Sequence, residues 1–331
     1  MHSDLRSLTD SLAGQRILVL GDFMLDEFVF GEISRISREA PVLILKHQET
    51  TLHGGGAANA VANLASLGVT AVAVGFVGQD TEGDQLLELW PDGVDAGAVF
   101  RHPGWSTTRK TRILAGSAHS YRQQVVRMDT ESKLELNSGD EKKLAEALSR
   151  QIPECNAVIL SDYSLGNLTT YLRHVAIGLG RDAGIPVVVD SRDDPGGYPG
   201  ATSVTPNISE VEAVLKQSSR NEDSWLEAAC PPLLARWDLQ SLLVTRGRLG
   251  MSLVEPGGVL HMPPFGAAEA VDVTGAGDTV AAVYSSALAA GAGFRDAARL
   301  ANVAGGLVVM KKGTATVSPE ELVAALETAA R

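Results

Sequence analysis

The chain has 331 residues, 44% of them hydrophobic, and a formal net charge of −12. That length and composition suit a soluble globular protein with a sizeable core, and the charge argues against broad nucleic-acid or anionic-membrane binding. No apolar run reaches a membrane span, the N-terminus M-H-S-D-L-R-S-L-T-D lacks a signal-peptide core, and the distant Cys155 and Cys230 read as reduced thiols of a cytoplasmic protein.

Short apolar runs at 16–21, 71–76, 157–161, 185–189 and 241–245 have the length and β-branched content of buried strands. Helical stretches lie between or after them, at 56–67, 140–151, 168–183, 208–216 and 225–236, then at 279–290, 294–311 and 319–330. Strand and helix alternate, which predicts an α/β fold: a mainly parallel sheet covered on both faces. Two segments break the rhythm. Residues 28–48 partly alternate, and 105–128 read as two strands around the turn A-G-S-A-H-S (115–120). Together they predict a small β-sheet lid on a single domain spanning 1–331. The stretch from Arg101 to Met128 carries Arg101, Arg109, Lys110, Arg112, Arg122 and Arg127 and no acid. It is either a solvated face or a seat for a small anion.

Polar residues recur where the apolar runs end: Asp22, Asp162, Asp190, Asn207 and Arg246. Each alone is compatible with a cap or a turn. In an open parallel sheet, however, they share the carboxyl edge, where ligands bind. The stretch D-V-T-G-A-G-D-T-V (272–280) then opens a long helix. The amides of Gly275, Ala276 and Gly277 would point from its first turn, where the dipole favours an anion. Asp278 is placed either to stabilise the helix start or to take a proton from a hydroxyl attacking a phosphate. The glycine run H-G-G-G-A-A-N-A (53–60) opens another helix, where backbone can approach a ligand and Asn59 can bind a hydroxyl. Walker, kinase-loop, zinc-protease and G-x-S-x-G motifs are absent from the sequence.

With these residues in place, the chain resembles the ribokinase-like sugar kinase family. The matching stretches are 272–280 with its helix, H-G-G-G-A-A-N-A-V-A-N-L-A-S-L-G (53–68), N-I-S-E (207–210) and V-T-R-G (244–247). The resemblance covers about 15–325 and implies a three-layer ribokinase-like sandwich with a lid. Within the family, 21–42, 288–309 and 311–322 are most similar to D-glycero-D-manno-heptose 7-phosphate kinases. In many of those a nucleotidyltransferase domain follows, so a kinase step alone is expected here. Departures are Leu165 in place of a lysine, and Asp190-Ser191-Arg192 where the group reads D-P-K.

The resemblance implies that Asp278 is the base for the sugar 1-hydroxyl, with Gly275, Ala276 and Gly277 as the hole for the γ-phosphate of ATP. It implies that Asp26, Gly54, Gly55 and Asn59 hold sugar hydroxyls. Asn207 and Glu210 would act near the phosphates and Mg²⁺ through water. Thr245 and Gly247 would approach the nucleotide, Asn302 would lie near the adenine, and Asp272 and Thr274 would help hold a monovalent cation such as K⁺. A second anion seat for the sugar's own phosphate is expected among Lys110, Arg112, Arg35 and Arg38, since arginine forks suit phosphate oxygens. A homodimer through paired lid edges is expected as well. A kinase for another sugar or sugar phosphate, or a catalytically silent sugar- or nucleotide-binding regulator, would share the same scaffold.

Overall fold

The computed structural model describes residues 2–116, 122–266 and 270–329. The chain begins with helix α1 (His2–Asp10) and strand β1 (Arg16–Gly21), then β2 (Phe23–Ile36), β3 (Leu43–Gly56), α2 (Ala57–Ser66) and β4 (Thr70–Gly78). Next come α3 (Thr81–Glu88), β5 (Asp95–His102), β6 (Thr108–Gly116), β7 (Gln123–Thr130), α4 (Ser138–Gln151), β8 (Ala157–Asp162), α5 (Thr170–Ala183) and β9 (Val187–Ser191). They are followed by β10 (Ser203–Val204), α6 (Ile208–Leu215), α7 (Asp223–Ala229), α8 (Pro231–Trp237), β11 (Ser241–Thr245), β12 (Met251–Glu255) and β13 (Gly258–Met262). Helices α9 (Ala276–Ala289), α10 (Phe294–Val308) and α11 (Pro319–Ala329) close the described chain.

Among the described residues the main sheet has nine strands in the order β13-β12-β11-β10-β9-β8-β1-β4-β5. From β11 to β5 every pairing is parallel, and β12 and β13 add an antiparallel edge. The pleat of β1 sorts its side chains to two cores. Ile17 and Val19 pack with Leu64 of α2, Tyr284 of α9 and Leu300 of α10. Leu18 and Leu20 pack with Leu148 of α4, Leu172 of α5 and Trp237 of α8. The result is the expected three-layer sandwich.

Among the described residues the lid is a four-stranded sheet, β3-β2-β6-β7. Its hairpins β2–β3 and β6–β7 are antiparallel, and β2 runs parallel to β6. Its first segment spans 23–56 rather than 28–48, because β2 continues from the main sheet with one residue, Asp22, between β1 and β2, and its second spans 108–130 rather than 105–128. The expected turn at 115–120 falls, from 117 on, outside the described residues. Gly54, Gly55 and Gly56 end strand β3 rather than opening a helix, and α2 begins only at Ala57. The predicted helix at 225–236 is two helices meeting at Cys230, because Pro231 starts a new one. Helix α9 begins three residues before the predicted Thr279, so the G-A-G stretch belongs to its first turn.

Candidate active site

Strands β11, β10, β9, β8 and β1 bring their carboxyl ends side by side, and α9 points its N-terminus at them. Gly275 caps α9 in the left-handed region, at φ 75°. A Cβ there would lie 2.4 Å from Asn59 Nδ2, so both the backbone and the space require glycine. The Ala276 amide already donates to the Val273 carbonyl at 3.3 Å. The amides left to face a ligand in this turn are those of Gly275, Gly277 and Asp278, which have no acceptor among the described residues. That differs from the expected Gly275–Ala276–Gly277 set.

Asp278 is buried in the first turn of α9. Its Oδ2 accepts from Asn59 Nδ2 at 2.9 Å, and its Oδ1 accepts from the Tyr163 hydroxyl at 2.8 Å. Burial first, then repulsion from Asp190, pushes this carboxyl up to about 8, against the pull of the two donors. Asp190, the last residue but one of β9, is a half-buried acid pushed up to about 6 by burial, with the Thr205 hydroxyl at 3.4 Å. Glu210 is pushed up to about 7 by burial, with Asp190 adding repulsion. Among the described residues no lysine or arginine bonds to any of these three carboxyls. Of these, Glu210, beside Asn207, suits a divalent cation that arrives with phosphate oxygens and water as its other ligands. By themselves the described residues offer no cluster of three or more His, Cys, Asp or Glu side chains for a metal.

The lid lays a second group of side chains over this edge. Asp26 on β2 stands opposite His53 on β3 and beside Lys110 on β6. A Cβ on Gly55 would sit 2.7 Å from Asp26 Oδ2, so that glycine makes room for the carboxylate. Gly54, with its Cβ position 3.0 Å from Ala58 Cβ, seats the strand on α2. Asp26 is buried and accepts from Arg112 Nη1 at 2.6 Å. Burial raises its pKa nonetheless, against the opposing effect of Arg112. The Arg112 guanidinium also lies 5.2 Å from the Phe28 ring centroid. Lys110 Nζ lies 3.1 Å from Glu131 and 3.5 Å from Asp129.

Arg35 and Arg38 are not brought to this group. Both are exposed, and Arg35 is nine residues beyond Asp26 on β2 (35 − 26), roughly 30 Å along an extended strand. Asn59 is placed at the site but differs from a free sugar ligand. Its amide donates to Asp278 and to the Gly275 carbonyl, at 3.2 Å, and its Oδ1 is 3.2 Å from Asn63 Nδ2. Asp272 accepts from the amides of Thr274 and Gly313, at 2.9 Å each. Burial pushes its carboxyl up, but these bonds outweigh burial and hold it below the usual range.

Beside the ends of β10 and β11, Asn207 and Glu210 form a capping box at the start of α6. Thr245 bridges to Asn207, Gly247 takes φ 57° after β11, and Asn302 donates to the Pro263 carbonyl at 2.8 Å. Two of the five strand-end residues turn away from this chemistry. Arg246 is buried in a tie to Asn221, Asp223 and Ser252, and Asp162 pairs with Arg173 at 2.6 Å. Tyr163 was not foreseen as a site residue. Its only sequence signal is its place directly after β8, in S-D-Y-S-L-G.

A family model described as pfkB family carbohydrate kinase matches residues 15–321. The chain belongs to the pfkB family of carbohydrate kinases. Members of that family are carbohydrate kinases, which transfer a phosphoryl group to a sugar. It is similar to a protein named Bifunctional protein HldE from Geobacter metallireducens, with 45% identity over 312 residues. That match takes in 93% of this chain and 62% of the relative, so the chain spans less than two thirds of the relative's length. The fold matches a ribokinase from Arabidopsis thaliana complexed with ribose and ATP, at TM-score 0.71 and 19% identity, covering 95% of this chain and 99% of that one. It matches phosphofructokinase-2 from Escherichia coli in complex with potassium at TM-score 0.75 and 19% identity, covering 96% and 99% of the two chains. No helix among the described residues is long and apolar enough to cross a membrane.

Proposed function

We propose that this pfkB kinase phosphorylates the anomeric 1-hydroxyl of D-glycero-D-manno-heptose 7-phosphate, giving the 1,7-bisphosphate for ADP-heptose biosynthesis. The observation that carries the chemistry is Asp278: a buried carboxylate in the first turn of α9, beside free amides and under the lid residue Asp26. The choice of sugar rests on the 45% identity to a protein named HldE and on the resemblance of 21–42 to heptose 7-phosphate kinases.

In this reading the amides of the α9 turn hold the γ-phosphate. The sugar O–H bond breaks, its proton passes to Asp278, and the sugar oxygen bonds to γ-phosphorus as the bond to the β-phosphate oxygen breaks. Asn207 and Glu210 would hold Mg²⁺ through water, and the ion would neutralise phosphate charge. Thr245, Gly247 and Asn302 border the nucleotide, and Asp272 and Thr274 adjoin a monovalent-cation site. Asp26, Gly54 and Gly55 shape the sugar pocket, and the lid excludes water, limiting ATP hydrolysis.

Lys110 and Arg112 are the proposed seat of the 7-phosphate. Arg35 and Arg38 can join them only from a second copy, through lids paired edge to edge. Exposed Ile36, Leu43, Val126 and Met128 on the lid strands favour such a homodimer, because an open apolar edge is stabilised by pairing. The kinase is read as one domain over 1–331, acting in the cytoplasm, with nucleotidyl transfer as a later step.

A second reading, a kinase for another sugar, is favoured by one observation: Lys110 and Arg112 already face Asp129, Glu131 and Asp26 within the chain. Assaying ADP release over a panel of sugars and sugar phosphates separates the two. The heptose reading expects heptose 7-phosphate to give the highest kcat/KM. It also expects Lys110→Ala to raise KM at least tenfold for phosphorylated sugars only. Equal losses with unphosphorylated sugars would favour the second reading, and no turnover on any sugar would leave a silent binding protein.

A further inference from the structure

We propose that Tyr163 is a positioning residue for the base: its hydroxyl fixes the Asp278 carboxylate, and Asp22 fixes Tyr163. The inference rests on the reading of Asp278 as the base. Tyr163 donates to Asp278 Oδ1 at 2.8 Å while Asn59 donates to Oδ2 at 2.9 Å. Each oxygen thus keeps a lone pair for an incoming hydroxyl, but the carboxylate plane is set.

The loop that presents Tyr163 is held from below. Asp22 Oδ2 accepts from the amides of Tyr163 and Leu165, at 2.9 and 3.0 Å, and its Oδ1 accepts from the Asn167 amide at 3.0 Å. The Asn167 side chain then clips the loop to β4, accepting from the Phe76 amide at 2.7 Å. Ser164 sits at φ 61° between these contacts, a conformation a non-glycine residue keeps only when its surroundings over-determine it. Gly166 is at φ 115°, and a Cβ on it would lie 2.0 Å from the Leu134 carbonyl oxygen. So much constraint on five residues places one hydroxyl. Packing alone would be served by phenylalanine.

The groups facing Asp278 are Asp190 from β9, Asp26 from β2, Asn59 from α2 and Tyr163 itself. Arg112 on β6 pairs with Asp26, and Glu210 on α6 stands near Asp190. In this acidic setting the Tyr163 hydrogen bond favours the charged carboxylate, and its loss favours the protonated form.

The test is steady-state kinetics with MgATP and sugar from pH 6 to 9.5, on wild type, Tyr163→Phe and Asp278→Asn, each checked by thermal melting. Tyr163→Phe is expected to lower kcat at pH 7 by about tenfold to a hundredfold, with both KM values within about threefold. Its acid limb should move up by about one pH unit, so that raising the pH restores part of the rate. An unmoved limb, whether or not kcat falls, would overturn the proposal and leave Tyr163 a packing residue. Turnover surviving in Asp278→Asn would instead remove the base reading on which the proposal rests.

Discussion

Asn59 donates to Asp278 across 2.9 Å although 219 residues separate them in the chain. The bond joins the two glycine-rich signatures, one at the start of α2 and one at the start of α9. It makes one unit of a residue from α2 and a residue from α9.

That unit predicts opposite effects on activity and stability at Asp278. Asp278→Asn should lower kcat by about three orders of magnitude or more while ATP still binds. The carboxyl's folded pKa, about 8, is raised above the ordinary aspartate value of 3.8. A raised acid stabilises the fold fully below the unfolded value and loses that contribution as pH rises through the folded one. Wild type should therefore lose stability relative to Asp278→Asn between about pH 4 and 8. The variant should melt at least a few degrees higher at pH 9, with the gap closing toward pH 4. Thermal melts across that range check this, and a gap that widens on acidification would refute it.

The same raised carboxyl predicts the pH profile of the wild type. kcat/KM for MgATP should fall as pH drops below about 8, because the free enzyme's base becomes protonated. Asp190 and Glu210, at about 6 and about 7, titrate in the same range and should steepen the fall beyond one proton. A flat profile from pH 6 to 9 would contradict the assignment.

Gly55→Ala isolates the sugar side. Its Cβ would come within 2.7 Å of Asp26 Oδ2, in a site walled by Met24 and Arg112. KM for the sugar should rise at least tenfold while KM for ATP stays within about twofold, since the nucleotide side is untouched. Two-substrate kinetics measure both.

Arg112 and Asp26 form a buried pair, so truncating one partner strands the other. Arg112→Ala should cost about 3–5 kcal/mol in urea denaturation. Asp26→Asn with Arg112→Met should recover most of that loss without recovering activity. If the single variant costs under about 1 kcal/mol, the pair does not stabilise the lid as argued.

The lid-to-lid dimer has its own test. Val126→Glu with Met128→Glu places charge on the exposed face of β7 and should shift light-scattering mass from dimer to monomer. Sugar KM should rise with the shift if Arg35 or Arg38 of a second copy serves the site. A monomeric wild type at micromolar concentration would end the proposal.

The strand ends and both glycine signatures were legible because they are local patterns. Apolar runs of strand length, helices between them and glycines before a helix follow from periodicity and backbone sterics over a few residues. Asp278 stood out for the same reason: the glycines that mark its turn are its own neighbours in the chain. The lid residues were legible as a basic run, yet their pairing was not. Lys110 meets Glu131 and Asp129 only through the β6–β7 register, and Arg112 meets Asp26 only through the parallel β2–β6 contact.

The sequence by itself determined the alternating α/β architecture, the glycine-marked turn that opens α9 and the acid within it. Tertiary structure decided which groups share that acid's surroundings. Asp190 raises its pKa, Asn59 and Tyr163 hold its oxygens, and Asp22, 141 residues before Tyr163, fixes the loop that delivers the phenol. The division follows the range of the forces. Backbone geometry and hydrophobic periodicity act within one element. Burial, charge repulsion and side-chain hydrogen bonds depend on elements that only folding brings within a few ångströms.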